Sequence, residues 1–265
     1  MPKLILIKRK IEVERDKIKT LLERRTIREY SDKKISPETL NNLLEAGIRS
    51  SNCGNMQIYS IIITQDLEKK KELRKFHFGQ KMIEEAPVVL TICADLNRFH
   101  KWCVQRGTTV EYDNFLWLNI GTIDATIVTQ SISIAAEELG LGICYMGTVN
   151  YMAKQIGEFL NLPKYVVPVT TITIGYPAEE PPLTERLSLE AVVHYETYKD
   201  YSSEDIDRLY FPFESLEQSK KYCQESNKEN LAKVFTESRY KGEDNRAFSR
   251  AYIDFISQQG FNRNE

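Results

Sequence analysis

The sequence is poor in the residues and spacings that build metal sites and disulfide frameworks. Its three histidines, His77, His100 and His194, are too scattered for a metal set or a Ser-His-Asp triad. Its five cysteines are an odd number without a C-x-x-C pair, which is typical of reduced thiols in a reducing compartment. We therefore expect no bound metal, and we expect a cytoplasmic protein.

Long apolar runs and a strong net charge are missing as well. No run approaches the roughly 20 apolar residues of a membrane span, and the apolar part of the opening MPKLILIKRK is too short for a signal peptide. The 36 basic and 38 acidic residues leave a net charge of −2, so no global field attracts nucleic acid or anionic lipid. We expect neither a nucleic acid nor a membrane as a partner, and any anion site must be local.

The common nucleotide-binding loops are also absent. The sequence has no G-x-x-x-x-G-K-S/T phosphate loop. The pair Gly140 and Gly142 follows a predicted helix, whereas the dinucleotide-binding fold places its glycines between a strand and a helix. A phosphate site would therefore have to be built from side chains.

Apolar periodicity predicts a mixture of helices and strands. The predicted helices cover residues 13–23, 37–48 and 66–76 and a long, central, buried stretch from Ile120 to Gly140, with a further helix ending near Leu160. The predicted strands cover 58–64, 86–95 and 166–177. These elements indicate an α+β fold with a central mixed or antiparallel sheet flanked by helices.

Composition divides the chain into three parts. Residues 1–20 form an N-terminal helical lead and residues 21–186 form the core. Residues 187–265 are dominated by Asp, Glu, Lys, Ser and Tyr, with predicted helices at 214–235 and 245–259. Because this last part could hardly form a core of its own, we expect it to pack on the main domain or on a partner subunit.

The segment RRTIR is the most informative local feature. It places Arg24, Arg25 and Arg28 within five residues at the end of a predicted helix, with the hydroxyl of Thr26 among them. Crowded guanidinium groups repel one another unless an anion neutralises them, and a phosphate accepts bidentate, charge-assisted hydrogen bonds. The alternative is a solvated helix end whose arginines pair with neighbouring glutamates. The cluster alone leaves both interpretations open.

Several further segments, in order, carry a family resemblance. RRTIREYSDKKISPETL, SSNCGNMQIYSIII, FGQK and AAEELGLGICYMG together resemble the nitroreductase superfamily, in particular its oxygen-insensitive NAD(P)H nitroreductase and FMN reductase branch. The likeness extends from about Leu21 to Arg186. It implies a nitroreductase-like fold, an intertwined homodimer with two FMN sites at the subunit interface, and electron transfer from NADPH or NADH to flat acceptors such as nitroaromatics, quinones or flavins.

The resemblance also assigns the residues that hold the cofactor. It implies a ping-pong reaction at the N5 atom of FMN, without a side chain acting as acid or base. The phosphate, the ribityl chain and the pyrimidine edge fall to Arg24, Arg25, Thr26 and Arg28, with Gln80 at the pyrimidine edge and Arg186 at the phosphate. The partner subunit's flavin would be lined by Ser51, Asn52, Cys53, Asn55 and Gln57. Met146 and Gly147 would lie at the dimethylbenzene and N5 side.

Two departures from the family pattern leave questions open. Thr184 stands where the most similar relatives usually carry a lysine near the phosphate. The segment KYCQESNK (221–228) lacks the arginine by which NADPH-specific relatives bind their nucleotide. The choice between NADH and NADPH is therefore open. So are two rival functions, a flavin reductase that releases free reduced FMN and a non-catalytic flavin-binding protein.

Overall fold

A computed structural model describes residues 16–262, which form two compact units. The first runs to Pro182 and includes the chain again from Ala251 onward. The second is Leu183–Arg250. Residues 1–15, which contain most of the predicted N-terminal lead and the start of the helix predicted at 13–23, lie outside the described part of the chain.

The first unit is a four-stranded sheet covered by helices. Its helices are α1 (Lys19–Leu22), α2 (Pro37–Ile48), α3 (Leu67–Phe76), α4 (Met82–Glu85), α5 (Asn97–Gln105), α6 (Phe115–Glu138) and α7 (Ala153–Phe159). Its strands are β1 (Tyr59–Thr64), β2 (Val88–Asp95), β3 (Gly142–Met146) and β4 (Val166–Gly175). All strand pairs are antiparallel, in the order β1-β2-β4-β3. The predicted α+β class is confirmed, and of the two predicted sheet types the antiparallel one is observed.

Local sequence signals explain where several helices begin. The side chain of Ser36 accepts a hydrogen bond from Thr39 N, and Pro37 occupies the first helical position of α2. Asn114 caps α6 in the same way through Trp117 N. Helix α6 therefore begins five residues before the predicted Ile120, because the capping signal precedes the apolar periodicity.

Helix α6 packs across the sheet and against α2. A Cβ atom on Gly47 of α2 would lie 2.5 Å from Ile132, so glycine permits the close approach of the two helices. The inner face of α6 is fully buried at Val128 and Ile132, but Ile123 is 50% exposed and Ile127 is 37% exposed. The predicted central, buried helix is observed on its inner face, whereas its outer face is apolar and exposed in the single chain.

The segment that carries the arginines lies against β3, a strand that apolar periodicity did not predict. Thr26 forms a parallel bridge with Ile143, and Ile27 N donates to Ile143 O at 3.0 Å. A Cβ atom on Gly142 would lie 2.5 to 2.8 Å from three side-chain atoms of Ile27. Glycine at the start of β3 therefore lets the segment follow the edge of the sheet.

The second unit is a chain of short helices. They are α8 (Ser203–Glu214), α9 (Glu217–Ser226), α10 (Leu231–Lys233) and a π-helical segment (Val234–Arg239); α11 (Gly242–Gln258) then continues into the first unit. The predicted single helix at 214–235 is wrong, because Leu216 is extended and Asn227 is left-handed, with φ of 50°. The helix predicted at 245–259 corresponds to α11.

We expect Gly142→Ala to lower the free energy of unfolding by about 1 to 3 kcal/mol, because the new methyl group overlaps Ile27. Urea denaturation measures the change. Gly147→Ala is the matched control, since a Cβ atom there meets no heavy atom within 4 Å and the expected change is below about 0.5 kcal/mol. Equal losses in the two variants would contradict the close approach at Gly142.

Candidate active site

The arginine segment lies beside β3 with two guanidinium groups incompletely paired. Arg24 Nε forms an ion pair with Glu137 Oε1 of α6 at 3.3 Å, outside hydrogen-bonding geometry, and Arg25 Nη1 donates to Glu23 O at 3.4 Å. The Nε atoms of both arginines are buried without a hydrogen-bond partner within the described chain. Buried donors of this kind favour an incoming acceptor.

Arg24 and Arg28 both influence the buried thiol of Cys144 in β3. Burial raises the pKa of Cys144, and the positive charges of Arg28 and Arg24 oppose that rise. Arg28 itself is exposed, whereas Arg24 is mostly covered. Arg24 and Arg28 therefore both lie close enough to β3 for their charges to act on Cys144.

A glutamate fixes the backbone of the same segment. Glu179 Oε1 accepts hydrogen bonds from Arg28 N at 2.5 Å and from Glu29 N at 3.1 Å. The hydroxyl of Tyr30 donates to Ile27 O at 2.8 Å and lies 2.7 Å from Thr173 Oγ1 of β4. These contacts hold the segment independently of its arginine side chains.

An open cleft of about 480 Å³ borders this segment. Its cationic side chains are Lys19, Arg24 and Arg25, and four glutamates share the cleft with them. One of these is Glu137, whose pKa is raised by burial and lowered by Arg24. The cleft is thus of mixed charge, and Arg24 already has an anionic neighbour.

The far end of β3 meets the turn that carries Gln80. Met146 is buried and Gly147 is exposed, with nothing within 4 Å of the position a Cβ atom would take. His77 Nδ1 lies 2.6 Å from Thr148 Oγ1, which joins the turn to the residues that follow β3. Glycine at 147 is therefore not required by the packing of the chain, and it leaves the backbone open to a flat ligand.

An aromatic pair strengthens this junction. The rings of Phe78 and Tyr151 stack with centroids 6.1 Å apart and an interplanar angle of 21°. Phe78 and Gly79 both have left-handed backbones, with φ of 54° and 72°. The exposed Gln80 is presented by this constrained turn.

The loop of residues 51–57 is equally constrained. Gly54, Asn55 and Gln57 have left-handed backbones, with φ of 55°, 56° and 52°. Asn52 Oδ1 accepts a hydrogen bond from Gln57 N at 3.2 Å. Cys53 and Asn52 are half-buried, whereas Ser51 and Asn55 are exposed.

The sheet order separates this loop from the arginines of the same chain. The loop leads into β1 at one edge, and the arginine segment borders β3 at the other. Three strand spacings, about 14 Å, lie between β1 and β3. One chain therefore gathers Arg24, Arg25, Thr26, Arg28, Gln80, Met146 and Gly147 along β3, and it holds Ser51, Asn52, Cys53, Asn55 and Gln57 at the opposite edge.

Two arginines of the second unit bear on the predictions for the tail. Arg186 is exposed and donates to Thr184 O at 3.1 Å and to Glu185 O at 3.2 Å; its place at the phosphate stays a prediction. Arg239, at the end of the π-helical segment, lies over the ring of Tyr222 at 4.0 Å. Folding thus brings a guanidinium group to the segment 221–228, which has none in its sequence.

Similarity to known proteins decides the family. The model of the nitroreductase family matches residues 21–176. The chain belongs to the nitroreductase family. An FMN reductase (NAD(P)H) of Bacillus subtilis (strain 168) is 36% identical over 188 residues, which are 68% of this chain and 74% of that protein.

Two solved structures of oxidoreductases share the fold of this chain. The crystal structure of an oxidoreductase from Bacteroides fragilis NCTC 9343 matches this chain with 46% sequence identity and a TM-score of 0.90. The match covers 92% of this chain and 99% of that one. The NADPH:FMN oxidoreductase from Vibrio harveyi, complexed with NAD+, is 28% identical, with a TM-score of 0.74 over 90% of this chain and 96% of that one. The resemblance drawn from the sequence is confirmed.

Neither a metal cluster nor a membrane-spanning helix is found among residues 16–262. Between residues 16 and 262, no group of three or more His, Cys, Asp or Glu side chains could hold a metal ion. Among the helices of this same range, none is long and apolar enough to cross a bilayer. All five cysteines are free thiols.

Sequence reasoning missed the residues that hold the arginine segment and the 51–57 loop in shape. Glu179 and Asp124 are acidic residues in otherwise ordinary contexts, and Arg98 belongs to a segment without clear periodicity. Arg98 bonds to Gln57 across 41 residues of chain, Asp124 to Cys53 across 71, and Glu179 to Arg28 across 151. The sequence offered one signal for Asp124, an acidic residue in the middle of the apolar α6, where a buried carboxylate needs a partner.

His77 makes the stability of this site dependent on pH. Burial lowers the pKa of His77 from 6.5 to about 4, so the folded state favours the neutral ring. The unfolded chain takes up the proton below about pH 6.5, and stability is lost as the pH falls from about 6.5 to about 4. His77→Asn does not titrate and keeps a polar atom facing Thr148.

We expect wild type to lose about 2 kcal/mol more free energy of unfolding than His77→Asn between pH 7 and pH 4.5, measured by urea denaturation. His194→Asn, which changes a histidine of the second unit, is the control and should follow wild type. Parallel losses in wild type and His77→Asn would show that His77 protonates without penalty.

Proposed function

We propose that the chain is an FMN-dependent NAD(P)H oxidoreductase that reduces nitroaromatics, quinones or flavins by ping-pong two-electron transfer. One observation carries the proposal: the arginine segment and Gly147 lie at two ends of β3, with Thr26 paired to Ile143. Four residues of strand, about 13 Å, separate the pairing point from Gly147. This arrangement offers cations at one end and an open backbone at the other.

The residues along β3 fit FMN. The buried Nε atoms of Arg24 and Arg25 lack hydrogen-bond partners within the described chain, although Arg24 is ion-paired with Glu137, and Arg28 adds an exposed guanidinium group. They would hold the phosphate and the polar chain of FMN, with the Thr26 hydroxyl as a further donor. Gly147 would face the ring, because no side chain there keeps a flat ligand from the backbone.

Bound FMN would supply the redox chemistry, since it takes two electrons from a nicotinamide and passes them to an oxidised acceptor. The chain would supply position and charge. Arg25 or a neighbouring donor would stabilise negative charge on the pyrimidine side of the ring. None of these roles requires a side chain to transfer a proton.

We further propose that the protein is a homodimer in which the 51–57 loop of one subunit lines the flavin of the other. The loop and the arginine segment lie at opposite edges of one sheet, so a single chain does not place them side by side. The exposed Ile123 and Ile127 of α6, together with Ile48 of α2, offer an apolar surface for a second copy.

The remaining parts of the proposal concern the tail and the compartment. Residues 187–265 would act as an extension of the 21–186 core that packs on it or on the partner subunit, with Arg186 at the phosphate. Free cysteines favour a reducing compartment, and we propose the cytoplasm.

A second candidate is a flavin reductase that releases reduced FMN. It is favoured by the FMN reductase of Bacillus subtilis that the chain resembles. Steady-state rates with added FMN, with a nitroaromatic and with a quinone as acceptors would rank the two functions. A higher kcat/KM for free FMN than for the other acceptors would favour the flavin reductase.

The phosphate role of the arginines predicts a selective loss of FMN binding. Arg28→Met and Arg24→Met should each raise the Kd for FMN about tenfold or more and leave that for riboflavin, which has no phosphate, nearly unchanged. Fluorescence quenching of the flavin measures both constants. Arg186→Met should behave in the same way.

Lys34→Met is the control for the loss of one positive charge near the segment. Lys34 is exposed and lies outside the cleft, so the Kd of the Lys34→Met variant for FMN should stay at the wild-type value. Equal weakening of FMN and riboflavin in Arg28→Met would count against a phosphate contact. Failure of the wild-type protein to bind FMN would refute the proposed function.

The position of Arg239 leads to a prediction about the choice between NADPH and NADH. The guanidinium group of Arg239 lies over Tyr222, in the segment 221–228. Its removal in Arg239→Ala should therefore raise KM for NADPH about tenfold and leave KM for NADH nearly unchanged. Lys220→Ala, which removes an exposed charge paired with Glu217, is the control. A wild-type enzyme that uses NADH better than NADPH, with no effect of Arg239→Ala, would assign another role to this arginine.

A further inference from the structure

The 51–57 loop has a backbone that its own sequence does not favour. Left-handed φ values are natural for Gly54, tolerable for Asn55 and unfavourable for Gln57. Such a conformation persists only when the surroundings impose it. The contacts of the loop with the rest of the chain therefore decide its shape.

The first of these contacts comes from α6. Asp124 is 2% exposed, and its Oδ1 accepts a hydrogen bond from Cys53 N at 2.9 Å. Gly121, one turn earlier, lets the helix approach closely, since a Cβ atom there would lie 3.3 Å from Ile58 O. A buried carboxylate thus reaches the backbone at the start of the loop.

The cost of burying this carboxylate is only partly offset. Burial raises the pKa of Asp124, and the backbone groups of Cys53 and Ile58 oppose that rise. A hydrophobic residue would fill the same position in α6 without that cost. The carboxylate is therefore explained by what it holds, the backbone at the start of the loop.

The second contact comes from α5. Arg98 Nη2 donates to Gln57 O and, at 3.4 Å, to Tyr59 O. The backbone of Arg98 is fixed in turn, because its N donates to Asp95 Oδ1 at 3.2 Å. A guanidinium group thus binds the loop at the residue with the least favourable φ.

We propose that Asp124 and Arg98 are positioning residues, which jointly hold the 51–57 loop in the conformation that lines the flavin. The inference rests on the proposed function, because it assigns the loop to the cofactor. Asp124 binds the first half of the loop and Arg98 the second. Replacing either side chain should weaken FMN binding even though neither side chain needs to touch FMN.

The test compares FMN binding by the full-length dimer in five forms. They are wild type, Asp124→Ala, Asp124→Asn, Arg98→Met and the double variant Asp124→Ala/Arg98→Met. Three quantities are measured for each: the Kd for FMN, the visible circular dichroism of bound FMN and the Tm without FMN. Thr129→Val is the matched control, because its hydroxyl is buried in α6 and bonds only to Ala125 O of that helix.

We expect Asp124→Ala and Arg98→Met each to raise the Kd for FMN about tenfold and to change the dichroism of the bound cofactor. Asp124→Asn, which keeps an acceptor for Cys53 N, should recover most of the affinity and so tests the role if the alanine variant does not fold. The double variant should be little weaker than either single one, because losing one anchor already frees the loop. Thr129→Val should lower Tm only.

Three results would overturn the inference. If the variants have a lower Tm but keep the wild-type Kd for FMN and the wild-type dichroism, Asp124 and Arg98 stabilise the fold without positioning the loop for FMN. A double variant weakened by the product of the single effects would show that the residues act independently. A wild-type protein without measurable FMN binding would remove the proposed function itself, which the first two results leave intact.

Discussion

The antiparallel order β1-β2-β4-β3 is the constraint on which the candidate site depends. It places β1 and β3 at opposite edges, so the loop before β1 and the residues around β3 face different surroundings. The arginine segment covers the edge of β3 through the bridge between Thr26 and Ile143. The same pairing that protects the edge strand also fixes the cations near it, so stability and function share one contact.

Each half of the site is shaped by polar contacts within the chain that do not depend on a ligand. Glu179 holds the backbone at Arg28, and His77 joins the Gln80 turn to Thr148. Asp124 holds the 51–57 loop. These contacts lie within one chain, and they prepare two surfaces that only a second copy can bring together in the proposed dimer.

Local patterns predicted much of this fold and less of its site. Helix α2 was predictable because Ser36 and Pro37 mark its start, and β2 because its apolar run is uninterrupted. Strand β3 was missed because its five residues follow α6 directly and look like the end of a helix. The break at Leu216 carries no glycine or proline signal, so a single helix was expected there.

The site itself was predictable only where its chemistry is local. Three arginines in five residues indicate an anion, but the pattern alone did not exclude a solvated helix end. The family resemblance decided between the two interpretations. The anchors Glu179, Asp124 and Arg98 were beyond reach, because each acts through hydrogen bonds to residues distant in sequence.

The central claim is that each flavin site is completed by two chains, and mixed dimers test it most directly. One chain would carry Arg24→Met/Arg28→Met and the other Asn52→Ala/Gln57→Ala, with two tags to isolate the mixed species. Each parent homodimer should bind FMN weakly. The account predicts one FMN per mixed dimer at wild-type affinity, because one site regains both intact halves. A mixed dimer without any tight site would contradict it.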